Sequence, residues 1–236
     1  MNTQSSCSII MFVALLSGCN LPDTTDQTSS DTPTTGNTIN NGTNQPQAGN
    51  TNAPIVTTGD KWIYKYKEQG TLETILTELV SATRPDGGYT LKITSPDRSW
   101  NFTEQYTSNG MLISDTHGTR SEFLCSYSFV QPDVIFPIYV GKMVSGRRIS
   151  TCTDGSTSED FVRTITAYEK VTTAAGSFDT YKIETTTTIT DPSLTPPQVT
   201  ITSTEWYSPL LKNSVRTITN GMNGSATSEL SSYSIH

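Results

Sequence analysis

Gly59-Asp60-Lys61-Trp62-Ile63-Tyr64-Lys65-Tyr66 puts Trp62, Tyr64 and Tyr66 on alternate positions, with Ile63 and Lys65 between them. Large aromatic side chains at period two mark a strand with one face turned to a core. The character persists from residue 58 onward, where Thr, Tyr, Val and Ile dominate and turn signals recur at short intervals. Asp86-Gly87-Gly88, Ser108-Asn109-Gly110, Ala174-Ala175-Gly176-Ser177 and Asn220-Gly221-Met222-Asn223-Gly224 each separate two strand-like runs. Asn109-Gly110 favours the positive φ of a tight hairpin turn. Consecutive hairpins predict an antiparallel meander, since parallel strands would need helical crossovers. The expected fold is all-β, a meander forming a strongly curved sheet or incomplete β-barrel, with one short helix as an option. That option comes from Leu72, Ile75, Leu76, Leu79 and Val80, which sit at helical spacing. Thr74 and Thr77 oppose it, and strand is preferred for residues 72–80.

Residues 58–236 suffice for a single β-rich domain with its own core. Ahead of them, residues 20–54 hold Thr, Asn, Ser, Gln, Asp, Pro and Gly, no aromatic side chain and almost no aliphatic one. Such a stretch cannot bury enough apolar surface to offset the entropy of ordering it. It reads as a tether spanning roughly 30–35 Å. The chain opens with an apolar run, residues 8–16, that ends in Leu16-Ser17-Gly18-Cys19. The run falls short of the roughly 20 residues that cross a bilayer, and it suits the core of a signal peptide. Its ending resembles the lipobox of bacterial lipoproteins. That resemblance implies residues 1–18 as a signal peptide, Cys19 as the acylated residue, and residues 19–57 as a lipid-anchored linker. The membrane is then a partner through the acyl chains. No Lys or Arg precedes Lys61, which departs from the usual basic leader and leaves the translation start open. Asn20, where inner-membrane lipoproteins carry Asp, implies by the same resemblance the outer membrane, on its periplasmic side or at the cell surface.

Beyond the opening strand come Ala175-Gly176-Ser177-Phe178-Asp179-Thr180-Tyr181-Lys182-Ile183, then Glu205-Trp206-Tyr207-Ser208-Pro209, Val215-Arg216 and Glu229-Leu230-Ser231-Ser232-Tyr233. In this order they resemble bacterial lipoproteins and periplasmic β-domains of unknown function. Leu210-Leu211-Lys212-Asn213 stands where such proteins often carry glycines. The resemblance implies a curved antiparallel sheet and carries no activity with it. Read from the residues alone, Trp62, Phe178, Tyr181 and Trp206 are inward core aromatics of alternating strands. The competing reading is a ligand groove, with Trp62, Tyr64, Trp100 and Trp206 as its candidates. Gly176 is expected to supply a backbone conformation closed to side chains, and Pro209 to end a strand.

Cys7 leaves with the signal and Cys19 carries lipid, so Cys125 and Cys152 remain. An even pair in an exported chain is read as a disulfide, in preference to two buried thiols. Only two histidines exist, His117 and the terminal His236, the latter expected to fray. A thiol nucleophile or a zinc site therefore lacks partners, and neither metal nor cofactor is expected. Gly-x-Ser-x-Gly, a phosphate loop and His-Glu-x-x-His are absent from the sequence. Residues 154–160 are acidic but lack the pattern of a calcium loop, so a solvated turn is expected there. Residues 184–190 are Thr-rich and read as an exposed strand rather than an ice-binding surface. With 15 basic against 22 acidic residues and no basic cluster, nucleic acid is not an expected partner. The leading expectation is a non-enzymatic binding module for an apolar or amphipathic ligand such as a lipid. The alternative is a structural or surface interaction protein that meets another envelope protein, with an envelope hydrolase ranked below both.

Overall fold

Alternation in the sequence becomes alternation in space. In a computed structural model, the structure describes residues 51–236 apart from 99, 118–122, 132–134, 154, 194 and 223. Cys19, the leader and the linker up to residue 50 lie outside the described residues. The strands are β1 (Lys61–Glu68), β2 (Thr74–Thr83), β3 (Tyr89–Ser95), β4 (Trp100–Tyr106), β5 (Leu112–His117) and β6 (Phe123–Gln131). They continue as β7 (Met143–Cys152), β8 (Gly155–Thr173), β9 (Gly176–Thr190), β10 (Gln198–Ser208), β11 (Asn213–Gly221) and β12 (Gly224–Ser234). Each pairs antiparallel with the next, and β1 pairs with β12 to close a barrel. The expected meander is present, and the closing pair completes the ring. Residues 72–80 supply β2, whose inward Leu76, Glu78 and Val80 alternate with outward neighbours. The one-turn helix Pro96–Arg98 joins β3 to β4.

Turn chemistry explains the joints. Gly176 starts β9 at φ 134°, a conformation that L side chains rarely adopt. Pro209 follows the last residue of β10, and Lys212 takes φ 60° in the four-residue connection to β11. Two expectations are corrected here. Within residues 154–160 the strand β8 begins at Gly155, opposite Cys152, so residues 155–160 are strand and not turn. His236 does not fray. Its backbone N–H donates to Asp60 Oδ1 at 2.8 Å, and Lys212 Nζ donates to its carbonyl at 3.1 Å. Asp60 is fully buried and also accepts from Thr57 N at 2.8 Å and Lys212 Nζ at 2.9 Å, so one carboxylate clasps both ends of the domain.

Cys125 on β6 and Cys152 on β7 face each other in register and form the expected disulfide. At a sequence separation of 27, the bond stabilises the fold by about 3.5 kcal/mol in the chain-entropy model. The outward rows are charged, with ion pairs Lys65–Glu73, Arg147–Asp160, Lys182–Glu184 and Arg216–Glu229. A membrane-spanning barrel presents an apolar band instead, so this wall is built to face water.

One end of the barrel is sealed. Ile135, Phe136 and Ile138, from the connection between β6 and β7, are buried against Ile165, Ile183, Tyr181 and Tyr207. Beside them, Trp62 Nε1 donates to the carbonyl of Leu211 at 2.9 Å, and Leu211 is itself fully buried. The long β8–β9 hairpin extends past its neighbours and leans on β11 and β12. Arg216 Nη2 donates to Thr172 O at 3.4 Å, and the Phe178 and Tyr233 rings meet edge-on at 5.8 Å.

Candidate functional site

Pairing registers identify what lines the barrel. Directly opposed residues share a face, so a buried residue on one strand assigns its partners. One inward row runs Arg163 on β8, Thr185 on β9, Ser203 on β10 and Thr219 on β11. At about 4.8 Å per strand, this polar row covers roughly 14 Å of wall. The row towards the sealed end reads Ile165, Ile183, Glu205, Thr217, Ser228 and Tyr66. Phe161, Thr187 and Ile201 line the other side. Arg163, Thr187, Ile201, Thr217, Thr219 and Ser228 are half-buried although they point inward, whereas the sealed end is dry. Eight strands leave an interior that side chains can just fill, and twelve leave more.

Thr185 and Ser203 stand side by side in this wall. Both are buried, and neither hydroxyl has a hydrogen-bond partner among the described residues. The hydroxyl of Tyr207, nearer the plug, is in the same condition. An unsatisfied buried hydroxyl costs about 1–3 kcal/mol, so these groups call for a polar occupant of the lumen, solvent or ligand.

Carboxylates complete the lining. Glu78, Glu104, Glu205 and Glu159 all face inward and are buried. Asn213 Nδ2 donates to Glu78 Oε2 at 2.9 Å, and Tyr106 OH donates to Glu104 Oε2. Ser214 Oγ donates to Glu205 Oε2 at 3.5 Å, and Tyr64 OH donates to Ser214 O at 3.0 Å. Burial pushes the Glu78 carboxyl up to about 7, with the Asn213 bond opposing. Tyr64, Tyr89 and Tyr106 are raised well above the usual phenol range, by burial first and by the neighbouring carboxylates second. Glu159 is ion-paired, Arg148 donating to its Oε2 from two nitrogens at 3.0 and 2.7 Å. The Arg148 guanidinium lies 4.8 Å over the Tyr127 ring, and Tyr127 OH donates to Asp115 Oδ2 at 2.8 Å. The lining thus offers hydroxyls, a guanidinium and carboxylates beside ring and aliphatic surface. That set presents polar and apolar surface side by side. Among the described residues no cluster of three metal-ligating side chains occurs.

The four aromatics expected to share a groove do not converge. Trp62 and Tyr64 are buried core residues whose polar atoms are already bonded. Trp100 sits at the other end, its ring 5.6 Å from Tyr66 and 5.9 Å from Phe102, with the Arg98 guanidinium 4.9 Å above it. Trp206 lies on the outer face, donates to Glu169 Oε1 at 2.6 Å and has Arg216 5.8 Å from its ring. The residues that sequence reading missed are Arg163, Thr185, Ser203 and Glu205. A signal for one of them was present, since alternation in residues 184–190 turns Thr185 inward together with Thr187 and leaves Thr186 outside.

No family model and no curated protein matches the chain. Among solved structures, it is similar to a Bacteroides fragilis protein classed as exported and described as having a YmcC-like fold. The two are 16% identical over 79% of this chain and 100% of that one, with a TM-score of 0.51. The chain shares that fold. A Parabacteroides distasonis protein classed as a lipoprotein matches at 16% identity over 79% of this chain and 100% of its own, TM-score 0.48. The hypothetical lipoprotein YmcC of Escherichia coli K12 matches at 11% identity over 73% and 83%, TM-score 0.44.

Proposed function

We propose that this chain is a lipid-anchored envelope protein whose barrel holds an amphipathic ligand without transforming it. The observation that carries the reading is the pair of buried, unpartnered hydroxyls, Thr185 and Ser203, in a half-open inward wall beside Arg163. A ligand with a polar group against that row and an apolar portion against Phe161, Ile201 and Tyr66 fits the lining. The anchor is supported by the Leu16-Ser17-Gly18-Cys19 ending, and a bacterial envelope by the exported class of the similar Bacteroides fragilis structure. The charged outer wall supports a domain held beside the membrane rather than within it.

Native mass spectrometry of the mature chain extracted from envelopes tests this. A stoichiometric adduct that disappears in Thr219→Trp, where an indole fills the lumen, is the expected result. A bare mass in the unsubstituted protein would overturn ligand binding and favour the surface interaction role.

A further inference from the structure

Three segments meet around the plug at the sealed end, and each leaves an apolar side chain in solvent. Thr51 and Ile138 exchange backbone hydrogen bonds at 3.2 and 2.8 Å, which runs the first described residues alongside the β6–β7 connection. The former segment carries Ile55, 85% exposed, and the latter Tyr139 and Val140, both 42% exposed. The Phe136 ring packs edge-on to Tyr207 at 5.9 Å, which brings the β10–β11 connection to the same plug with Leu210, 69% exposed. Met143, at the start of β7 on this rim, is exposed as well. At the opposite end, exposed Leu72 and Met222 stand singly among polar neighbours such as Gln69, Thr71 and Asn220.

We infer that this apolar rim seats the barrel on the lipid surface that carries the anchor. The inference rests on the anchor proposed above. Residue 51 lies at the sealed end through its pairing with Ile138. With the tether expected from composition, the residues between it and Cys19 span roughly 30 Å. The tether therefore holds this end, and not the other, within reach of the bilayer at millimolar effective concentration, where weak insertion suffices. The net charge of −7 disfavours attraction to anionic headgroups, so insertion of Ile55, Val140 and Leu210 supplies the contact. Seated this way, the half-open lumen faces away from the membrane.

The test uses the mature chain, residues 19–236, in vesicles of phosphatidylethanolamine and phosphatidylglycerol containing a spin-labelled phospholipid quencher. Leu210→Cys or Met222→Cys carries a bimane label, and the native pair Cys125–Cys152 is already bonded. At least twofold quenching at position 210 with none at 222 is expected. Equal signals at both positions would overturn the docking. So would a label at 210 that is shielded from aqueous iodide without vesicles, which would mean that residues 20–50 or a second copy cover the rim. Residues 20–236, which contain the whole barrel, are run unacylated beside it. Their vesicle partition is expected to fall tenfold or more in the Ile55→Ser, Val140→Ser, Leu210→Ser variant, and no change would count against the rim. Acylation is read separately by mass. An unacylated mature chain that still quenches at 210 would retire the anchor and keep the docking, whereas an acylated chain without quenching would do the reverse.

Discussion

At the sealed end of the barrel, Tyr181, Ile183 and Tyr207 are covered by Ile135, Phe136 and Ile138 until almost no solvent contact remains. Two rows away, inward Thr187, Ile201 and Thr219 stay half-buried, and the hydroxyls of Thr185 and Ser203 lack partners among the described residues. The same alternating strands build both regions. What differs is the filling, because a loop supplies apolar side chains to one end and the strands alone line the other. A wide barrel is stabilised where something from outside the sheet completes its core. Where nothing does, half-buried polar side chains line the wall instead.

The sharpest way to break this comparison is at the plug. Phe136→Ala removes a fully covered ring and is expected to cost about 3–5 kcal/mol in urea unfolding. A loss below 1 kcal/mol would mean that the sealed end is as adaptable as the lumen. Glu78 gives an intermediate effect. Its carboxyl titrates near 7 when folded against an ordinary 4.5, so the folded state binds the extra proton between those values. Stability then falls as pH rises from about 4.5 to 7. Glu78→Gln should flatten that fall and lead the parent protein by an amount on the order of 2 kcal/mol at pH 8, as read from paired denaturation curves. The smallest effect belongs to the lumen. Thr185→Val and Ser203→Ala remove hydroxyls without partners, so each should leave stability within about 1 kcal/mol or raise it. If either variant lost more than 2 kcal/mol, those hydroxyls would be serving the fold and not the lumen.

Much of this was legible in the chain. Trp62, Tyr64 and Tyr66 announced β1 by their spacing, and the Gly-containing turns marked the hairpins, because both signals are local. The β2 segment was ambiguous for the same reason. Leu72, Leu76 and Leu79 satisfy a helical period, and only pairing with β1 and β3 decides for the strand. The placement of the groove candidates lay beyond local logic. Alternation tells which residues share a face, but Trp206 and Trp62 lie on opposite faces of a wall whose bulges shift the phase between strands.

The sequence by itself determined the strands, most of their turns and the cysteine pair, since each depends on residues close together or on composition. Only the tertiary structure decided that β1 meets β12, that the loop before β7 plugs one end, and that Arg163, Thr185 and Ser203 form one row. Those relations join residues dozens of positions apart through hydrogen-bond register. One residue of register slip turns a side chain to the other face, so no local pattern could specify them.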